Sequence, residues 1–314
     1  MPRLSRNSAQ SVTDLRRHSA KIGKDIWLVQ GPAGNVSLKR DGVMWIKSSG
    51  TRLKDALGSE IFVGLDLTAA RALSMSESQD FSSCVVAQSP KGLRPSIETA
   101  MHLLIDAPCV THVHSLGSIA KGIQNNIDEA LALVRSIVQV SYVPYAQPGV
   151  KLARAVRESL GPSTQALLLG NHGLTLWGDD FSEIETLLQE IETLWRMRIP
   201  MQTIEESSST SQRDAWWSSI LCEGVLSPDE AVLLYSEEIL DGKGNPPPSP
   251  FKLNAERYAE LISPCGRDGQ DVVTLIRELG AHVNDNTPIN FLTEEEVSAL
   301  LNWDIEKMRR AKSQ

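Results

Sequence analysis

Apolar residues recur at helical spacing in some stretches of the chain and at consecutive or alternate positions in others. Val12, Leu15 and Ile22 share one stripe, which predicts an opening helix over residues 11–23 stopped by Gly23. Residues 27–30 read as a short strand, 31–37 as a turn-rich loop and 42–47 as a second strand, together predicting a hairpin-like unit that takes in Leu38. A helical pattern fills 95–106, with Ser96 placed to cap its start and Pro108 beyond its end. It runs directly into a strand-like stretch at 109–115. Helices are predicted at 118–121, 128–136 and 150–160, and strands at 138–143, 165–169 and 174–177. A long amphipathic helix then runs over 181–198, ending at Pro200. Strands and helices intermix without a regular beat, which points to a mixed sheet with helices covering its faces.

A polar stretch at 205–211 interrupts this pattern and places a domain boundary there, dividing the chain into 1–205 and 206–314. The second part holds a Gly/Pro-rich loop at 241–250 and a closing helix over 293–310, whose Thr293 and Glu296 fit a capping box. Trp216, Trp217 and Trp303 read as core or interface residues, and the C-terminal part as a packing or oligomer-contact module.

Composition narrows the class only modestly. With 41% hydrophobic and 22% charged residues the 314-residue chain is ordinary for a soluble globular protein. A net charge of −8 disfavours non-specific nucleic-acid binding but leaves room for a local site for an anionic substrate. Cys84, Cys109, Cys222 and Cys265 form no Cys-x-x-Cys pair and are too sparse for a disulfide framework, so a reduced chain is expected. No run reaches the ~18 apolar residues of a membrane helix, and the basic N-terminus lacks the apolar core of a secretion signal. The cytoplasm is the expected compartment, with no membrane partner.

The chemistry concentrates in histidines. His112 and His114 are separated by one residue in a strand-like stretch, so their side chains point to one face and can converge on an ion. His172, between Asn171 and Gly173, sits between two strands, where turns commonly display functional groups. Neutral imidazole suits zinc and other borderline metals, and a catalytic zinc usually keeps three protein ligands and an open position. Glu98 could serve such an ion as ligand or act beside it as acid or base. The bland alternatives are satisfied structural histidines and a solvated helix glutamate.

An ordered set of motifs goes beyond those separate signals. Gly34-Asn35-Val36-Ser37, Ile46-Lys47-Ser48-Ser49-Gly50, Arg94-Pro95-Ser96-Ile97-Glu98 with His102, Thr111-His112-Val113-His114-Ser115, Val143-Pro144-Tyr145-Ala146 with Gly149, and Gly170-Asn171-His172-Gly173-Leu174 follow one another along the first two thirds of the chain. In this order they resemble the class II aldolase/adducin family. The C-terminal motif 291–307, with 45–50 and 64–67, is similar to the aldolase portion of bifunctional rhamnulose-1-phosphate aldolase/alcohol dehydrogenase proteins. No Gly-x-Gly-x-x-Gly follows a strand here, so nicotinamide chemistry is not expected.

The resemblance implies an α/β fold: a three-layer α/β/α arrangement around a mixed, mainly antiparallel sheet, plus a small C-terminal α+β module. It implies that His112, His114 and His172 hold Zn²⁺ or another divalent metal and that Glu98 is the acid/base. Asn35, Ser49, Gly50 and Ser96 match phosphate-binding positions, and Lys47 matches a lysine of the related pentulose-phosphate epimerases. The implied activity is retro-aldol cleavage of a ketose or ketose 1-phosphate through an enediolate, by a homo-oligomer that is a tetramer by resemblance. The same site could serve a pentulose-phosphate 4-epimerase or a decarboxylase of a sugar-acid derivative, and the fold also occurs in non-catalytic adducin-like proteins. Two departures stand out. Ile97 replaces a serine that would donate to phosphate, and 128–139 lacks the tyrosine that serves as proton donor in bacterial deoxysugar-phosphate aldolases.

Overall fold

The sheet begins at a tight hairpin whose two turn residues, Asp41 and Gly42, both hold positive φ (52° and 76°). Such a turn matches the right-handed twist of the strands it joins, and Asp-Gly is a favoured pair for it. It connects β1 (Asn35–Arg40) to β2 (Val43–Lys47), with Ser37 opposite Ile46 and Arg40 opposite Val43. The first strand therefore begins within the stretch expected to be a loop and runs on through Leu38 to Arg40, and residues 27–30 are not a strand. Asp25 explains the difference: its carbonyl accepts from Leu28 and Val29 and its carboxylate from the Trp27 amide, which curls this apolar stretch into turns.

The structure is a computed structural model that describes residues 11–74, 76, 80–197, 209–234 and 266–302. Seven strands form one sheet in the order β3-β2-β1-β4-β7-β6-β5. Besides the hairpin they are β3 (Phe62–Asp66), β4 (Cys109–Val113), β5 (Val140–Val143), β6 (Ala166–Leu169) and β7 (Gly173–Gly178). Only β5 and β6 pair in parallel, so the sheet is mixed and mainly antiparallel as expected. Strand β3 and the short helix after it, α2 (Leu67–Leu73), extend the expected set of elements.

Alternation along the strands assigns the two faces. Val36 and Leu38 of β1, Cys109 and Val113 of β4 and Leu174 and Leu176 of β7 pack under α1 (Val12–Ile22) and α7 (Phe181–Trp195). α1 starts at a Ser11–Asp14 capping box and α7 at the Asp180 cap. On the opposite face, Met44 and Ile46 of β2 and Leu167 and Leu169 of β6 meet α3 (Thr99–Leu104) and α6 (Val150–Ser159). Three layers result. α3 begins at Thr99 rather than near Ser96, because the Ser96 hydroxyl and carbonyl accept from the amides of Glu98 and Thr99 and form a turn ahead of the helix. Glu98 thereby sits at the helix N-cap.

Two helices in succession join β4 to β5, α4 (Leu116–Gly122) and α5 (Ile127–Val134). The described residues of the C-terminal segment form α8 (Ser209–Leu221), α9 (Pro228–Leu234), α10 (Arg267–Leu279) and α11 (Glu294–Leu301). The expected Thr293–Glu296 capping box opens α11. Among these residues the segment is helical, with isolated β-bridges from Gln124 to Ile289 and Val225 to Leu292 in place of a strand of its own. Its core is not separate: Leu221, Val232, Ile276 and Leu300 pack with Leu116 and Ile119 of α4 and with Ile123 just beyond it. Trp217 is buried there and donates from Nε1 to the Ile276 carbonyl at 2.8 Å, while Trp216 packs against the same cluster. Arg52 adds a bidentate ion pair to the buried Asp268 of α10. Trp303, Cys265, the loop at 241–250 and the boundary expected at 205/206 lie outside the described residues. No helix among those residues is long and apolar enough to cross a membrane.

Candidate metal centre

Strand register brings the first members of the site into line. Asn35 of β1 pairs with His112 of β4, which pairs with Thr175 of β7, so the three side chains form a row on the α3 side of the sheet. His114 lies one residue past the end of β4, where Ser115 caps α4 by accepting from the Ser118 amide and so fixes the turn. His172 comes from the β6–β7 turn. There Asn171 adopts positive φ (56°), and Gly173 must be glycine because a Cβ would approach the Val113 carbonyl to 2.2 Å. Chain reversal at this point swings His172 over β4.

The three imidazoles meet edge to face, with ring centroids 4.7–4.9 Å apart. Their candidate ligand nitrogens all lie within 4.8 Å of one another, and His112 Nε2 is 3.0 Å from His114 Nε2. Glu98 Oε1 faces the same point, 3.6 Å from His112 Nε2 and 3.3 Å from His172 Nε2. All four residues are buried, none more than 4% exposed.

Hydrogen bonds behind the cluster set its polarity. His112 Nδ1 lies 3.2 Å from the Leu174 carbonyl and 3.1 Å from Thr175 Oγ1; as donor to the carbonyl it leaves the Nε2 lone pair facing inward. His114 Nδ1 is bonded to Asp229 Oδ2, with the same result. Two inward lone pairs at 3.0 Å repel unless a proton or cation lies between them. Asn35 Nδ2 donates to Glu98 Oε2 at 2.5 Å, and Glu98 Oε1 has no hydrogen-bond partner among the described residues. A buried carboxylate oxygen left this way is costly unless something positive fills the space before it. Three nitrogens and one oxygen around one point make a donor set suited to a divalent transition metal.

Protonation states agree with that fit. Burial lowers His112 to about 4 and drives His172 well below its usual value. Burial works in the other direction on Glu98, but the positive charge the surrounding imidazoles carry when protonated outweighs it, so the carboxyl is held down at about 2 and is ionised before the His112 ring loses its proton. Neutral imidazoles beside an ionised carboxylate are the forms a metal requires. His102, by contrast, is held away from the cluster with its Nδ1 2.8 Å from Ser37 Oγ.

A narrow cleft of about 40 Å³ opens in front of these groups. It is lined by Asn35, Lys47, Ser49, Gly50, Ser96 and Ile97, so the expected phosphate-binding positions do come together. Several are already engaged. Lys47 is buried and its ammonium donates to the carbonyls of Pro32 (2.6 Å) and Thr51 (2.8 Å), tying two loops together. The Ser49 amide donates to Arg94, and Ser96 Oγ accepts from the Glu98 amide. Ile97 lines the wall without a polar atom to offer.

Two contributors, Thr175 and Asp229, had no mark in the sequence pattern, and Asn171 was marked only as a neighbour of His172. Asn171 Nδ2 donates to the carbonyls of Leu226 and Asn290, binding the His172 turn to the C-terminal segment. Ser227-Pro228-Asp229-Glu230 reads in sequence as a helix start, which it is, and nothing in it points to a histidine 115 residues away.

Residues 18–199 match the family model of the class II aldolase and adducin N-terminal domain. The chain belongs to the class II aldolase and adducin family. Within this family it is 26% identical over 209 residues to a methylthioribulose-1-phosphate dehydratase of Cronobacter sakazakii, covering 59% of this chain and 92% of that protein. It is 29% identical over 215 residues to the uncharacterized oxidoreductase YuxG of Bacillus subtilis, where the match covers 60% of this chain but 30% of the relative. The N-terminal class II aldolase domain of a conserved protein from Thermoplasma acidophilum superposes with a TM-score of 0.51 at 24% identity, over 62% of this chain and 97% of that one. This likeness concerns the fold. The partial match to a longer oxidoreductase leaves the expected link to bifunctional aldolase/dehydrogenases unshown, and α8 to α11 lie beyond the family match.

Proposed function

We propose that this class II aldolase family member is a divalent-metal-dependent lyase acting on a ketose or ketose 1-phosphate, with His112, His114 and His172 as metal ligands and Glu98 as the group that moves the proton. The observation that carries the reading is the convergence of three inward Nε2 atoms on a buried Glu98 oxygen that has no other partner. Bound there, a cation such as Zn²⁺ would supply Lewis-acid polarisation of neighbouring substrate oxygens.

The chain's own residues would do the rest. Asn35 pins Oε2 of Glu98 and leaves Oε1 aimed at the cleft. Held ionised, Glu98 can accept the proton of a substrate hydroxyl as the adjacent carbon–carbon bond breaks, releasing an aldehyde. Returning that proton to carbon frees the three-carbon fragment. The cleft walls would orient the substrate through Ser49, Gly50 and Ser96.

Retro-aldol cleavage is the primary reading, and loss of water from the same kind of substrate is the second, favoured by the relative named as a dehydratase. Both are lyase reactions that begin with proton transfer beside a polarised carbonyl. The epimerase alternative rested on Lys47, whose ammonium is taken up by two carbonyls. A non-catalytic scaffold would gain nothing from a buried carboxylate oxygen without a partner. The test is a panel of ketoses, with and without phosphate, incubated with the Zn²⁺-, Mn²⁺- or Co²⁺-loaded chain and followed by NMR. Metal-dependent aldehyde release supports the primary reading and dehydration products the second; no metal-dependent turnover on any member overturns both.

A further inference from the structure

We infer that Asp229 is a positioning residue of the metal centre and that the C-terminal segment, through it, completes a site otherwise built by the sheet. The inference rests on the metal reading above. Asp229 is buried at the start of α9, and its Oδ2 is bonded to Nδ1 of His114, itself buried. Among the described residues no other hydrogen bond is made by the Nδ1 of His114, which lies past the end of β4 where strand pairing no longer holds it. His112, by contrast, has the Leu174 carbonyl and Thr175 of the neighbouring strand behind it.

The physical consequence is specific. A carboxylate on Nδ1 holds the proton there, which fixes the tautomer with the Nε2 lone pair inward, turns the ring and makes Nε2 a better donor to a cation. The carboxylate is itself delivered by a rigid path. Leu226 N donates to Glu230, the Glu230 amide donates to Ser227 Oγ, and the Leu226 carbonyl receives Asn171 from the His172 turn. One short stretch therefore braces two of the three histidines, and Pro228 beside it walls the cleft. Because α9 lies outside the 18–199 family match, the brace is a feature of this chain's extension rather than of the shared domain.

The experiment uses the full chain and two readouts independent of turnover: Zn²⁺ affinity by competition with a chromogenic chelator, and the visible spectrum of bound Co²⁺, which reports ligand number and geometry. Asp229→Leu, of similar size without an acceptor, should bind Zn²⁺ about 10–100-fold more weakly and alter the Co²⁺ bands. Asp229→Asn keeps an acceptor oxygen and should lie between it and the wild type. Arg213→Ala is the control. Arg213 holds α8 to the carbonyls of Gly280 and Val283, inside the C-terminal segment and away from the histidines. That variant should melt earlier with metal affinity and spectrum unchanged.

Wild-type affinity and spectrum in Asp229→Leu overturn the inference, as does an equal loss in Arg213→Ala, which would reduce Asp229 to a folding contact. If Asp229→Leu does not fold, Asp229→Asn decides alone: weaker binding supports the brace and unchanged binding overturns it. A wild-type chain that takes up no divalent metal overturns the metal reading and this inference with it, and is told apart because it precedes any substitution.

Discussion

The sheet and the C-terminal helices contribute to one site by different means. In the sheet, Asn35, His112 and Thr175 fall into a row because register and the two-residue repeat leave no other arrangement with a buried opposite face. In the C-terminal segment, Asp229 arrives through tertiary contacts, as α9 docks on a core shared with α4 and Asn171 bonds to the Leu226 carbonyl beside it. Local pattern can therefore specify a site's position on a sheet, whereas the side chains that hold its ligands in place can come from any surface that packs there.

The largest effect should follow His112→Ala. Removing a ligand from the sheet row should abolish retention of metal through dialysis, measured by elemental analysis, with the far-ultraviolet circular dichroism still native. Stoichiometric metal in that variant would take the sheet's contribution out of the comparison. Next is Glu98→Gln, expected to keep metal but lose about 10²–10⁴-fold in turnover, the usual range for a proton-transfer group. Unchanged activity on a substrate found by the ketose panel would remove Glu98 from its role.

The helical side is tested by Trp217→Ala. Loss of a buried tryptophan costs about 3–5 kcal/mol, and the shared core predicts that the whole chain's single melting transition moves down. Two transitions, only one of them shifted, would show the segments unfolding separately. The smallest effect is a pH dependence at the junction between the two regions. Glu192 of α7 accepts from Ser115 Oγ and the Gly117 amide directly after His114, yet burial raises it to about 7 from the ordinary 4.5. Between those values the unfolded chain has lost the proton and the folded chain retains it, so stability falls as pH rises. The loss is about 3 kcal/mol over that window. Buried His112 and His172, held below their usual values, act in the opposite direction over the same window, and buried Glu230, raised to about 8, acts in the same one. The readout is therefore the difference between chains: in urea unfolding across pH 4.5–7 the wild type should lose stability relative to Glu192→Gln as pH rises. An identical slope in the variant would assign the dependence elsewhere.

Much of the architecture was legible because its signals are local. The strand-like run at 109–113 and the one at 174–177, the stripe and stop of α1, the capping box of α11 and the amphipathic stripe of α7 each involve residues a few positions apart. The errors were also local. Asp25 turned a strand-like run into turns, the Ser96 turn delayed α3 to Thr99, and β3, a five-residue strand interrupted by Gly64, was not read although the Gly58-Ser59 turn precedes it. The histidine cluster was legible as a candidate through spacing and motif order, while the engagement of Lys47 by Pro32 and Thr51 depends on how two loops pack and has no trace in sequence.

Sequence alone thus determined the family, the layered mixed sheet and the three histidines and glutamate that converge, because strand periodicity and turn chemistry act over short distances along the chain. Only the tertiary structure decided which polar atoms are spent on backbone and which face the cleft, and that a carboxylate from α9 stands behind His114. Those outcomes depend on contacts between segments up to 115 residues apart, where burial and hydrogen-bond satisfaction choose among partners that no local pattern distinguishes.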